Sequence, residues 1–113
     1  MDTKKIAESL IRKFNTNNPF AIADHLSITI LYSDMEATPG FFNIYKRFKF
    51  IHLSNSIPEG LETFVCAHEL GHAICHPGTN TPFLKHHTLF SVDKIEREAN
   101  MFAVELLMPD SLI

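Results

Sequence analysis

Apolar residues in the first quarter of the chain recur at helical spacing. Across residues 3–15 they fall on one face at about 100° per residue, so an amphipathic helix is predicted there. Asn18 followed by Pro19 is typical of a capping residue and a first-turn proline. A second, short helix is therefore predicted from this dipeptide to about Leu26.

The middle of the chain is rich in β-branched and aromatic residues, which favour strands. Three such stretches cover residues 27–32, 41–45 and 48–53. The turn signal Thr38-Pro39-Gly40 precedes the second stretch, and only Lys46-Arg47 separates it from the third. We therefore expect a hairpin within a small, mostly antiparallel, three-stranded sheet.

The last part of the chain has helical periodicity with one interruption. Ser56 and Glu59 form a capping-box pattern, which predicts a helix that continues to about His76. Residues 77–91, rich in Gly, Pro, Thr and His, are predicted to be a loop. A last helix is expected from Ser91 to just before Pro109. Four helices and three strands in this order predict an α+β fold.

Composition limits the classes of function. A chain of 113 residues with a net charge of −3 has the length of one domain and lacks the strong basic patch that direct nucleic-acid binding needs. The basic cluster Lys46, Arg47 and Lys49 is too short to change this expectation. No apolar run is long enough to span a bilayer, and the N-terminus lacks the apolar core of a secretory signal. We therefore expect a cytoplasmic protein with no membrane association.

Two cysteines, Cys66 and Cys75, lie nine residues apart in the predicted third helix. On one helix this separation is about 13 Å along the axis, beyond the reach of a disulfide bond. Both are expected to be buried free thiols. A redox or metal sensor that uses one of them is an alternative function, weakened by the lack of a resolving partner.

The third helix carries a candidate metal site. His68 and His72 are one turn apart, so both imidazoles can reach one Zn²⁺ ion, and Glu69 flanks it. This is a His-Glu-x-x-His pattern, in which the glutamate is the general base toward a zinc-bound water. A pair of hydrogen-bonded core histidines is the structural alternative. His76 lies about 12 Å along the axis from His68 and is interpreted as a bystander that the helix dipole favours.

A third ligand is expected from the last helix, since catalytic zinc takes three protein ligands. Glu96 falls within the apolar arc of that helix, where a carboxylate needs a partner or a metal. Asn100, one turn later, could hydrogen-bond a ligating histidine and fix its tautomer. Glu98 is the alternative ligand, although it falls outside that apolar arc. An N-terminal salt bridge is the alternative role of Glu96.

These residues together resemble the ImmA/IrrE family of metallopeptidases. The resemblance rests on HELGH at residues 68–72, EREANMFAVELLMP at residues 96–109 and IHLSN at residues 51–55. It covers most of residues 1–110 and implies a zincin-like active-site helix. It also implies zinc ligands His68, His72 and Glu96 with Glu69 as base, in a gluzincin-like arrangement.

The family resemblance also implies a regulatory role. Such proteins are often encoded by phages and integrative elements, and act as antirepressors that cleave a helix-turn-helix repressor. Relatives commonly continue through further helices, whereas this chain ends just after LLMP. We therefore expect one domain over residues 1–113 that is shortened at its C-terminus. No helix-turn-helix domain is expected before the peptidase, so direct DNA binding is not implied. The partner that the resemblance implies is a protein substrate, the repressor.

The predicted reaction is zinc-dependent peptide hydrolysis in which Glu69 assists the attack of a zinc-bound water. An extended substrate is expected to add to the edge of strand 41–45. Tyr45, His86 and His87 are candidates for stabilising the oxyanion. The alternative is a non-hydrolytic, repressor-binding module in which the zinc site is structural or vestigial.

Overall fold

The computed structural model of the protein describes residues 1–78 and 89–109, with the backbone alone at residues 89–93. The described residues form four helices and three strands, which confirms the predicted α+β fold. In chain order the elements are α1 Thr3–Phe14, α2 Pro19–His25, β1 Ile28–Ser33, β2 Gly40–Tyr45, β3 Phe48–Ser54, α3 Glu62–Cys75 and α4 Leu89–Leu107.

The two N-terminal helices begin with side-chain caps. Asp2 accepts a hydrogen bond from the backbone N–H of Lys5, and α1 ends where Asn15 takes a left-handed conformation. The Asn18 side chain accepts from the N–H groups of residues 20 and 21, with Pro19 in the first turn of α2. Both features satisfy N–H groups that a helix start leaves unpaired, so the predicted boundaries are confirmed within a residue.

The sheet is mixed and has the strand order β1-β3-β2. β2 and β3 form the predicted antiparallel hairpin, and β1 pairs with β3 in parallel. Lys46 and Arg47 join the hairpin with φ angles of 49° and 74°, the two positive values that a two-residue turn needs to match the strand twist. β2 is therefore an edge strand of the described sheet.

The core lies between the sheet and helix α3, which contacts β2, β3, α2 and α4. Side chains from every one of these elements are fully buried there. They include Phe42 of β2, Ile51 and Leu53 of β3, Ile22 of α2, Leu70 of α3, and Phe102 and Leu106 of α4. Helix α3 is thus fixed on several sides, which makes it a rigid support for the side chains it carries.

The predicted start of the third helix at the Ser56–Glu59 capping box is wrong. Helix α3 begins at Glu62, its N-cap Leu61 makes no side-chain cap bond, and Gly60 has a φ of +93°. The hydroxyl of Ser56 contacts the Ser54 hydroxyl at 2.8 Å, so it does not cap the helix. A proline at position 58 and a left-handed glycine form a turn that delays the helix.

The last helix begins at Leu89, two residues before the predicted start at Ser91, so the predicted loop is wrong for residues 89–91. Residues 79–88 of that predicted loop lie outside the described residues. The helix ends at Leu107, before Pro109, as predicted. Among the helices that the structure describes, none is both long and apolar enough to cross a membrane.

Gly71 sets the distance between α3 and α4. A Cβ atom at this position would lie 3.1 Å from Phe102 Cδ1 and 3.3 Å from both Cα and O of Ala99. We expect Gly71→Val to lower the free energy of unfolding by about 1–3 kcal/mol, because its methyl groups would meet a packed backbone. Urea denaturation monitored by circular dichroism measures the change.

The matched control for this prediction is Gly78→Val. A Cβ atom at Gly78 meets no atom within 4 Å in the described structure. Its free energy of unfolding should stay within about 0.5 kcal/mol of the parent value, as for most surface substitutions. If Gly71→Val were as stable as Gly78→Val, the close approach of the two helices would not be a constraint.

Candidate metal centre

Helices α3 and α4 bring together the three residues that the sequence analysis selected as ligands. One donor atom each from His68, His72 and Glu96 lies within 4.8 Å of the others. Nε2 of His68 lies 2.9 Å from Glu96 Oε2, and Nε2 of His72 lies 3.1 Å from Oε1 of the same carboxylate. Two imidazole nitrogens therefore converge on one carboxylate, which is a donor set typical of catalytic zinc.

Asn100 contacts the far side of the His68 ring. The His68 Nδ1–H donates to Asn100 Oδ1 at 2.8 Å, and Asn100 lies one turn after Glu96 on α4. This bond leaves Nε2 as the nitrogen that faces Glu96. The structure thus brings Asn100 to His68, one of the two histidines that the sequence analysis selected as ligands.

His72 is the most enclosed residue of the cluster, with 1% of its surface exposed. Its Nε2 is buried and finds no well-aligned hydrogen-bond partner among the described residues, although Glu96 is near. A buried polar atom without a hydrogen bond is costly unless another ligand, such as a metal ion, satisfies it. The site therefore fits a metal ion on this observation as well as on its donor set.

His76, interpreted from the sequence as a bystander, caps α3 and makes two contacts that the sequence analysis did not predict. It does not join the three-residue cluster, but it is buried, with 8% of its surface exposed. Its Nδ1 lies 3.2 Å from Nδ1 of His72, and its Nε2 lies 3.0 Å from Glu98 Oε1. The helix wheel of α4 predicted Glu98 to lie outside the apolar arc, yet its contact with His76 half buries it.

The protonation of the cluster follows from burial and from its opposite charges. Burial opposes a charge on His68, but the hydrogen bond to Glu96 and the charges of Glu69 and Glu96 together raise its pKa. Burial lowers the pKa of His72. The hydrogen bond from His68, followed by the close contact with His72, holds the pKa of Glu96 well below its usual range. The carboxylate is therefore ionised, and the raised pKa of His68 means that a proton competes with a metal ion for its Nε2.

Glu69 lies directly beside the cluster and is 5% exposed. Its Oε2 is 4.0 Å from His68 Nε2. It follows His68 by about 100° around the helix, so its carboxylate flanks the three donors without being one of them. The Glu69 carboxylate is therefore close enough to exchange a proton with a molecule bound at the three donor atoms.

A cavity of about 230 Å³ opens beside Glu69. Its polar wall is formed by His68, Glu69, Glu96 and Asn100, and its remaining wall by Thr38, Pro39, Gly40, Phe64 and Val65. The sequence analysis treated residues 38–40 only as a turn and did not select Phe64. Phe64 lies one turn before His68, and this four-residue spacing is the sequence signal that could have identified it.

Of the three candidates for stabilising the oxyanion, only Tyr45 lies among the described residues. Tyr45 ends β2 at the hairpin turn, about 16 Å along the strand from Gly40, and it does not line the cavity. It is 61% exposed, so the structure argues against its predicted contact with the reacting group. His86 and His87 lie outside the described residues.

Both cysteines are free and buried, as predicted. Burial raises the pKa of Cys66 to about 12 and that of Cys75 to about 11. Because the thiolate is the reactive form, both side chains are expected to react with iodoacetamide at pH 8 more than about tenfold slower in the native protein than in urea. Mass spectrometry of timed samples measures each site separately.

The urea-unfolded chain is the reference for this measurement, since both thiols are then exposed to solvent. Rapid alkylation of native Cys75 would contradict the burial argument and restore the sensor hypothesis. Slow alkylation of both thiols would leave that hypothesis without a reactive group.

Comparisons with known proteins agree with this arrangement. The family model described as Peptidase_M78, IrrE N-terminal-like domain, matches residues 23–113. The chain is 46% identical over 111 residues to "Uncharacterized immunity region protein 2" of Bacillus phage phi105, covering 97% of this chain and 70% of that protein. It is 32% identical over 112 residues to "Metallopeptidase ImmA" of Bacillus subtilis (strain 168), covering 97% of this chain and 65% of that protein. The chain thus spans about two thirds of each relative.

The family match includes all the residues of the cluster and its cavity. A metallopeptidase family implies a metal, and the His-His-Glu group is the candidate to hold it. The chain therefore belongs to the ImmA/IrrE family of metallopeptidases.

Proposed function

We propose that the chain is a zinc-dependent endopeptidase that cleaves a helix-turn-helix transcriptional repressor. The observation that carries the proposal is the convergence of three donor atoms within 4.8 Å, next to a carboxylate that is 5% exposed. A structural zinc site is closed by its protein ligands, whereas a catalytic site has three and leaves one position open. Two of the three donor residues, His68 and Glu96, line a cavity, which supports the catalytic alternative.

His68, His72 and Glu96 would hold the metal. Two imidazoles and one carboxylate are the ligands of several zinc peptidases, and a singly charged carboxylate leaves the site with a net positive charge. When bound, Zn²⁺ supplies Lewis acidity, which lowers the pKa of a coordinated water and polarises the scissile carbonyl.

Glu69 is the proposed general base. Its carboxylate accepts a proton from the attacking water and then gives it to the leaving amine nitrogen, so the carboxylate is regenerated in each cycle. Its low exposure supports this role, because a base that is shielded from bulk water keeps the proton for the leaving group.

The edge strand β2 is the proposed docking site for the substrate backbone. Gly40 begins this strand and also lines the cavity, so an extended peptide paired with β2 would pass the cluster. A Cβ atom at Gly40 would lie 2.8 Å from the His52 carbonyl oxygen, so a glycine is required where the strand enters the cavity wall. Phe64 and Val65 favour an apolar substrate side chain next to the scissile bond.

The class of substrate is supported by the relatives. One of them is named for a phage immunity region and the other is named a metallopeptidase. Proteolysis of a regulatory protein combines these two properties. A helix-turn-helix repressor is the substrate that the family resemblance implies.

The test is to incubate the purified chain and Zn²⁺ with the repressor encoded next to its gene, with and without a chelator. The proposal expects two repressor fragments, lost on chelation and restored by added Zn²⁺. A stable complex of intact proteins that a chelator does not change would instead support the non-hydrolytic binding module. Mass spectrometry of the fragments identifies the cleaved bond.

A further inference from the structure

We propose that His76 and Glu98 are positioning residues that fix the tautomer of His72 and so present its Nε2 lone pair to the metal. The inference rests on the proposed metal site and adds two residues to it. Neither residue belongs to the three-donor cluster. They act on His72 through two hydrogen bonds, one between Glu98 and His76 and one between His76 and His72.

The first step is the contact between α4 and the end of α3. Nε2 of His76 lies 3.0 Å from Oε1 of Glu98. A carboxylate has no proton to donate, so the hydrogen of this bond belongs to the histidine. His76 therefore carries its proton on Nε2, and in the neutral ring its Nδ1 is an acceptor.

The second step follows from the pairing of two Nδ1 atoms. Nδ1 of His76 lies 3.2 Å from Nδ1 of His72, and one of these two atoms must donate. Because His76 Nδ1 is the acceptor, His72 Nδ1 carries the hydrogen. The remaining nitrogen of His72, Nε2, lies 3.1 Å from Glu96 Oε1 but makes no aligned hydrogen bond among the described residues, so its lone pair is the one available to a metal ion.

Burial makes this arrangement specific. His72 and His76 are 1% and 8% exposed, so water does not compete for their ring nitrogens as it would at the surface. The rings of His68 and His76 also pack against His72, with centroids 4.8 and 5.3 Å away, which restricts its rotation. A ligand that is held in one tautomer and one orientation binds its metal more tightly.

The two candidate ligands on α3 are therefore both oriented by residues of α4, but through different hydrogen bonds. Asn100 accepts directly from His68 Nδ1 at 2.8 Å, whereas Glu98 acts on His72 through His76. Residues 96, 98 and 100 of α4 thus contribute a ligand and two orienting groups. His76 can connect Glu98 to His72 because it caps α3, where its ring turns toward α4.

The test compares three variants with the parent chain. His76→Phe keeps a flat ring but removes the acceptor, and we expect Zn²⁺ affinity to fall about 10–100-fold. His76→Asn keeps an acceptor near the Nδ1 position and is expected to restore affinity to within about fivefold of the parent. Glu98→Ala removes the group that fixes His76 and is expected to weaken binding about tenfold. Competition with a chromogenic chelator measures each affinity.

A spectroscopic measurement distinguishes a change in the orientation of His72 from a general loss of folded structure. Co²⁺ replaces Zn²⁺ in each protein, and its visible absorption bands report ligand geometry. The bands should change in His76→Phe and remain close to those of the parent in His76→Asn. The matched control is Arg97→Gln, an exposed position on α4, which should keep the parent affinity and spectrum. Thermal unfolding of each metal-free variant checks that it is folded.

The outcomes distinguish the inference from the function on which it rests. If the parent binds Zn²⁺ but His76→Phe and Glu98→Ala bind it equally well, the positioning role is wrong and the metal site remains. Equal losses in His76→Phe and His76→Asn would also contradict it, because an acceptor alone would then not matter. If His76→Phe does not fold, the Zn²⁺ affinities of Glu98→Ala and His76→Asn decide whether the positioning role is correct. A parent chain that binds no Zn²⁺ would overturn the metal site itself.

Discussion

Glu69→Gln is expected to bind one equivalent of Zn²⁺ and to cleave the repressor about 10²–10⁴-fold more slowly than the parent chain. The side chains have nearly the same shape, so the buried position and the neighbouring donors are preserved. The amide cannot accept a proton from the attacking water. The loss should therefore appear in kcat, with little change in metal content.

Two measurements and one control variant make this prediction specific. The metal content of purified variant and parent is measured by elemental analysis, and cleavage is followed by gel and mass spectrometry. Glu62→Gln is the matched control, because Glu62 is exposed in the first turn of the same helix and its contact with Tyr32 survives in an amide. Parent-like cleavage by Glu69→Gln would exclude Glu69 as the base. Loss of metal from it would show that the carboxylate is needed for binding instead.

The elements that could be predicted from the sequence are those determined locally. Asn18 and Pro19 cap the second helix through their own chemistry, and two residues with positive φ join the hairpin. The predicted start of α3 is wrong because a pattern of two side chains, Ser56 and Glu59, cannot reveal the turn at Gly60. The parallel pairing of β1 with β3 depends on strands some twenty residues apart, which periodicity does not report.

The candidate site shows the same limit. His68, His72 and Glu96 could be selected because each is a polar group on a face that packs against another element. A distance along the helix axis argues against His76 as a ligand, but it does not show what else His76 contacts. A helix wheel treats each helix alone, so Glu98 appeared to face solvent. The packing of α4 on the end of α3 brings the two together.

Glu96→Ala is expected to weaken Zn²⁺ binding more than any other substitution on α4. The carboxylate contacts both histidine Nε2 atoms, at 2.9 and 3.1 Å, so its removal leaves a two-ligand site. We expect a loss of more than about 100-fold, beyond the range of groups that only orient a ligand. The same chelator competition measures it, at a pH where both histidines are neutral in the unfolded chain.

Glu98→Ala is the matched comparison for Glu96→Ala, since it removes an acid two residues away on the same helix. Its affinity should fall about tenfold, because it acts on His72 through a hydrogen bond and not by contact with the metal. Both variants delete the same atoms, so the difference between them isolates the ligand position. A larger loss in Glu98→Ala than in Glu96→Ala would make Glu98 the third ligand and leave Glu96 as a salt-bridge partner of the two histidines.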